Sequence, residues 1–178
     1  MKKKMKKVIC VILSVVTILS ISIPVFAVDT NVPYYKQISA IDIDVSNPID
    51  TLNGSIQTRS VDLPTAYHNL AVSNYTANLQ YVGKNWLYTN VKYHANGTGD
   101  LYCVYNVKAK ESATQIFVGL YDLTKDELII ETIGYDVSTG GNALGIHFGN
   151  LNPSHMYAVC FRAHPSALTG TAVIKHRK

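Results

Sequence analysis

Apolar and polar positions alternate with a period of two through most of the second half of the chain. Ile116, Val118 and Leu120 fall on one side of an extended backbone, and Phe117 and Tyr121 on the other, with Gly119 between them. Leu144, Ile146 and Phe148 alternate in the same way with Gly145, His147 and Gly149. Successive side chains of a strand point to opposite faces, so this pattern predicts strands with one buried face. Residues 101–107 (LYCVYNV), 128–134 (LIIETIG), 156–163 (MYAVCFRA) and 171–175 (TAVIK) share the same apolar and β-branched texture. Turn chemistry separates them, at 94–99 (HANGTG), at Lys125-Asp126, at 138–142 (STGGN) and at 150–154 (NLNPS).

The earlier part of the pattern is shorter and more aromatic. Residues 67–72 and 79–82 read as brief extended pieces, and 86–93 (WLYTNVKY) as a longer one. Asn96-Gly97 separates that run from 101–107, so residues 86–107 are predicted to form a hairpin. No window carries a helical apolar stripe with caps. Eight or nine short strands with regular turns predict an all-β fold, an antiparallel β-sandwich of jelly-roll-like form. A closed barrel is the structural alternative.

The first residues follow a different rule. Five lysines precede an apolar run over 8–23, Pro24 breaks it, and Val25-Phe26-Ala27 follows. This is the layout of a cleavable secretory signal. The run is short of the ~20 residues that a spanning helix needs. Residues 1–27 are therefore expected to leave as a signal peptide, with cleavage after Ala27. Residues 28–65 are expected to form an extended leader or linker holding at most one short strand, where Ile41, Ile43 and Val45 alternate with Asp42, Asp44 and Ser46. Residues 66–178 are expected to form the sandwich domain.

Export changes the charge. The whole chain has 16 Lys+Arg, 12 Asp+Glu and a net charge of +4. The five signal lysines leave without any acid, so 11 cationic residues face 12 acidic ones and the mature chain is near neutral, at −1. A nucleic-acid partner loses its compositional support. No membrane association is expected once the signal is gone, no apolar tail or sorting pentapeptide closes the chain, and the expected product is extracellular. The lysine-rich signal and the Asn-, Tyr- and Ile-rich composition suggest a Gram-positive bacterial source.

Candidate chemistry is sparse. His68, His94, His147, His155, His164 and His176 are scattered, no two at the spacing of a common metal site, so they read as surface residues and no metal or other cofactor is expected. There is no Gly-x-Ser-x-Gly elbow, no phosphate-cradling glycine loop and no Asp-x-Asp-x-Asp-Gly calcium loop. Glu131, flanked by Ile129, Ile130 and Ile133, is placed on the wetter face of its strand. Cys103 and Cys160 permit one disulfide in an exported chain, and the alternative is two buried thiols.

Rings carry more information. All twelve tyrosines follow the signal, with a single tryptophan. Trp86 and Tyr88 share strand parity and, with Tyr102 or Tyr105 across the expected hairpin, form the candidate ligand-binding cluster. Rings with an apolar face and a polar tip stack on sugars or hold peptides; the competing role is to fill the core. Residues 115–123 (QIFVGLYDL), a turn, and 157–161 (YAVCF) before a final strand resemble the small β-sandwich domains attached to secreted bacterial peptidases. That resemblance implies a non-catalytic accessory or binding role. The leading expectation is a secreted, non-enzymatic protein that binds glycan or cell-envelope material. The alternatives are a small secreted hydrolase with convergent acids or histidines, and an envelope interaction protein or secreted antagonist. Oligomeric state is left open.

The export reading predicts that protein recovered from a secreting culture begins at Val28 on N-terminal sequencing. Recovery of an intact Met1 chain in the membrane fraction instead would make residues 1–27 an anchor.

Overall fold

Alternation decides which residues meet in the core. The computed structural model describes residues 32–39 and 62–176. Twelve strands lie among the described residues: β1 (Tyr34–Ile38), β2 (Ala66–Tyr67), β3 (Tyr75–Val82), β4 (Leu87–Tyr88), β5 (Val91–Lys92), β6 (Leu101–Ala109), β7 (Thr114–Asp122), β8 (Glu127–Glu131), β9 (Tyr135–Val137), β10 (Asn142–Gly149), β11 (Tyr157–His164) and β12 (Leu168–Lys175). The first sheet has the order β1-β10-β6-β12-β3. The second has the order β4-β11-β7-β8, and β9 also pairs with β7. Every pairing in these two sheets is antiparallel, whereas β2 and β5 form a small parallel pair of their own.

The inner faces of the two sheets supply one core. Cys103, Tyr105 and Val107 of β6, Ile146 and Phe148 of β10, and Ile174 of β12 share it with Ile116, Val118 and Leu120 of β7 and with Val159 and Phe161 of β11. Burying a residue of this size contributes about 1.5–3 kcal/mol. The arrangement is an all-β, sandwich-like one, and neither strand order returns on itself. No helix among the described residues is long and apolar enough to cross a membrane.

Four pairings are nested: β3 with β12, β4 with β11, β6 with β10, and β7 with β8. Through these eight strands the chain runs as one long antiparallel hairpin. The β6–β12 and β7–β11 pairings then join its limbs side by side. The turn between β7 and β8 is the tip of that hairpin, and Asp126 takes the left-handed conformation there, with φ 60°.

The longer expected strands match β6, β7, β8, β10, β11 and β12. The expected hairpin over 86–107 does not form. β4 pairs with β11 and β5 with β2, whereas β6 pairs with β10 and β12. The turn chemistry is present, with the Gly99 N–H donating to the Asn96 carbonyl and Gly99 at φ 77°. It makes a corner between the two layers instead, because Tyr93 still bridges to Tyr157 in the second sheet while Leu101 opens a strand of the first. Within the expected leader, Tyr34–Ile38 forms an edge strand on β10. The signal and the alternating residues 41–45 lie outside the described residues.

Cys103 and Cys160 are free, buried thiols rather than a disulfide. Strand phase accounts for this. Cys103 points from β6 into the core, and Cys160 is out of phase with the core-facing Val159 and Phe161, so it lies on the outer side of β11. Burial pushes both thiols well up from the ordinary range, so neither ionises near neutral pH. The folded protein should therefore resist alkylation near pH 8. After denaturation without reductant, mass spectrometry should find Cys103 and Cys160 both modified; an unmodified pair that appears only after reduction would contradict this fold.

Candidate functional site

The outer face of the second sheet is built from the alternate residues of β7. Gln115, Phe117, Gly119 and Tyr121 point away from Ile116, Val118 and Leu120. Register sets their neighbours. Arg162 lies beside Phe117, Cys160 and Glu131 flank Gly119, and Ala158 and Leu128 flank Tyr121. Tyr88 is in register with Cys160 and extends the row outward on β4.

Gly119 makes the floor on which this layer closes. A Cβ there would lie 2.6 Å from Cys160 Sγ, 3.0 Å from Leu128 Cδ1 and 3.1 Å from Trp86 Cζ3. The indole of Trp86 therefore reaches across the sheet and rests above a position without a side chain. The Arg162 guanidinium stands 5.0 Å from the centroid of the Trp86 ring and 4.4 Å from that of Phe117. It also hydrogen-bonds the Glu131 carboxylate. On the other side, Tyr88 and Tyr121 meet edge to face at 5.5 Å. Trp86, Tyr88, Phe117 and Tyr121 are all half-buried, so each ring is anchored and still meets solvent.

The electrostatics are quiet. Arg162 and Glu131 neutralise each other. Burial, and then the neighbouring Cys160, raise the Tyr88 phenol above its ordinary range. The Tyr121 hydroxyl donates to Asp126 Oδ1 at 2.7 Å, and that bond leads the causes that push it up to about 12. Both phenols stay neutral through the physiological range. The face offers ring surface and neutral phenol hydroxyls beside the paired Glu131 carboxylate.

The four rings singled out from the sequence do not form one cluster. Trp86 and Tyr88 lie together as their parity required. Tyr102 sits on the far side of the molecule, on the outer face of the first sheet, where it stacks on His147 at 4.5 Å. Tyr105 is fully buried in the core. An unbroken strand cannot present residues 102 and 105 on the same side, and β6 is unbroken between them. Phe117, Tyr121 and Arg162 are the partners that sequence reasoning missed. Phe117 and Tyr121 were already assigned to the side of β7 away from the core, but nothing local indicated that β11 and β4 would bring Arg162 and Trp86 beside them.

Only His164 of the six histidines is an exposed surface residue; His68, His94 and His176 each bond a backbone carbonyl, and His147 and His155 pair with acids. His147 is buried, and its Nε2 donates to Asp100 Oδ1 at 2.7 Å. Its Nδ1 has no partner. His155 Nδ1 donates to Asp122 Oδ2 at 2.7 Å, and that carboxylate also accepts the N–H groups of Thr124 and Lys125. No hydroxyl or thiol hydrogen-bonds the second nitrogen of either imidazole among the described residues. No group of three or more His, Cys, Asp or Glu side chains that could hold a metal ion is present among the described residues. The chain matches no protein-family model and no curated protein.

The Asp100–His147 pair generates a pH prediction. Burial works to raise the Asp100 carboxyl, but hydrogen bonds from Thr98, His147 and Asn96 outweigh it and hold the group below its ordinary range. A carboxylate depressed in the folded state adds stability above its unfolded pKa, about 3.9, and that stability is lost as the pH falls through the folded value. Asp100→Asn should melt lower than the parent at pH 7, and the gap should narrow as both are titrated to pH 3. Melting curves that stay parallel over that interval would remove Asp100 as the linked group.

Proposed function

We propose that the mature chain is a secreted, non-catalytic jelly-roll β-sandwich that binds a glycan of the cell envelope or the extracellular medium. The binding face is the outer surface of β4-β11-β7-β8. The nested pairing of four strand pairs supports the jelly-roll reading, since a jelly roll is a long hairpin wrapped over itself in two sheets. The signal-like residues 1–27 support export.

One observation carries the binding reading. Four half-exposed rings and an internally neutralised Arg162–Glu131 pair share one sheet face, built over a glycine. Most strand surfaces facing water carry isolated polar residues. Here rings are gathered and fixed before any ligand arrives, which lowers the ordering cost of binding. Ring faces stack on the apolar faces of sugars, and phenol hydroxyls take their hydroxyl groups. Pairing with Glu131 keeps the Arg162 charge from acting alone at the centre of the face.

The test is retention on purified cell-wall polysaccharide and on a glycan array, using the parent, Trp86→Ala and Tyr88→Ala. Each substitution should weaken binding by about tenfold or more, since truncating a central aromatic anchor costs more than about 1.4 kcal/mol. Melting curves establish that both variants are folded. A blank array for the parent, or folded variants that bind as the parent does, rejects the proposal.

A further inference from the structure

Beyond the rings, the outer face of the second sheet runs into a cleft of about 500 Å³. Gln115, Asp136, Ser138, Asn142 and His164 line it. Strand pairing assembles these residues. β7 pairs with β11 on one side and with β9 on the other at this end, which sets Gln115 between His164 and Asp136. The loop from β9 to β10 then brings Ser138 and Asn142 to the rim. The volume lies within the ~300–1,000 Å³ of small-molecule sites.

Two hydrogen bonds orient the polar groups. Gln115 Nε2 donates to Asp136 Oδ1 at 3.1 Å, and Asn142 Nδ2 donates to the Asp136 carbonyl at 2.9 Å. Both amides thus spend a donor inside the protein. The lining residues supply acceptors in the Asp136 carboxylate and the Gln115 and Asn142 side-chain carbonyls, and the Ser138 hydroxyl donates to the Gly141 carbonyl. No lysine or arginine lines the cleft. Such a lining suits a ligand that brings hydroxyl or amide hydrogens and repels one that brings carboxylates.

Cleft and ring face are continuous. Gln115, Phe117, Gly119 and Tyr121 stand in line on one side of β7, and six residues of strand span about 20 Å at ~3.3 Å each. Arg162, between Phe117 and Trp86, lies one step in from His164 on β11.

We infer that the cleft is the end subsite of a linear track and takes a terminal unit of a neutral glycan whose preceding sugars lie over Phe117, Trp86 and Tyr121. This rests on the reading of the ring face as a glycan platform. The class assigned is a neutral oligosaccharide with free hydroxyl or acetamido groups, not a uronate polymer.

Calorimetric titration of the mature protein tests it. The probes are chitobiose, chitohexaose and a hexamer of galacturonate. The variants are Asp136→Ala, Asn142→Ala and Ser138→Trp, the last an exposed loop position where an indole would fill the cleft without touching the core. The parent should bind chitohexaose at least about tenfold more tightly than chitobiose, and the galacturonate hexamer weakly or not at all. Each cleft variant should lose most of the gain from chain length while keeping the parent's melting temperature, and Trp86→Ala should lose binding of both chitin probes. Cleft variants that keep the full length dependence overturn the subsite and leave the ring platform standing. Equal binding of the galacturonate hexamer overturns the neutral class. A parent that binds none of the three overturns the track together with the platform.

Discussion

The phase of β7 is the constraint on which the second sheet depends. Its nine residues serve two surfaces with no spare position. Ile116, Val118 and Leu120 fill the core, so Gln115, Phe117, Gly119 and Tyr121 must face outward. A slip of one residue would exchange the two sets and bury Gln115 in place of Ile116. The hydrophobic term that holds the sandwich together therefore also fixes the order polar, aromatic, empty, aromatic along the outer face. The partner strands hold the phase from both sides. β11 pairs along the strand, and β8 and β9 share the opposite edge. Thr132 spans the gap between those two strands, its Oγ1 accepting the Val118 N–H and its own N–H donating to the Val118 carbonyl. Where the ladder is interrupted, a buried side chain completes it, and β7 keeps its register while its neighbour changes.

How much of this was legible in the sequence depended on the range of the interaction. Alternation is local, and it located β6, β7, β10 and β11 and gave the correct sides of β7. Parity is local too, and it put Trp86 with Tyr88 and separates Tyr102 from Tyr105. Pairing is not local. Asn96-Gly97 reads as a hairpin turn because it has the right residues, yet the strands on either side of it belong to different sheets. β4 finds its partner about seventy residues later, in β11, because the pairings are nested. Arg162 entered the ring face by the same long route. A basic residue in an apolar strand has no local signature of a cation held between two rings. The disulfide question had the same character: each cysteine sits in a clear strand pattern, and only the strand phases show that one faces the core and the other faces out.

The histidines show how the fold consumes groups that read as chemistry. Asp100 stands just before β6 and binds His147 on the neighbouring β10. Asp122 closes β7 and binds His155 just before β11. In both cases an acid at a strand end clamps an adjacent limb of the long hairpin at the place where the chain leaves the sheet. The Asp122 carboxylate also caps the turn to β8 through two backbone N–H groups. These are the positions where strand ends would otherwise fray, and a charge-assisted bond there is stronger than a neutral one. That placement accounts for both pairs as clamps at strand ends.

The two outer faces differ for a related reason. On the first sheet, Tyr102 is stacked on His147, and Tyr34 on the added strand β1 meets that imidazole edge-on at 5.7 Å. The aromatic surface there is spent inside the protein, and Tyr102 is left only 7% exposed. Among the described residues, no strand lies over the rings of the second sheet in the same way. β4 is two residues long and ends at Tyr88, so the indole of Trp86 folds onto the sheet from just outside the strand. The short edge strand and the missing side chain at Gly119 together set a ring on a flat floor beside a neutralised arginine.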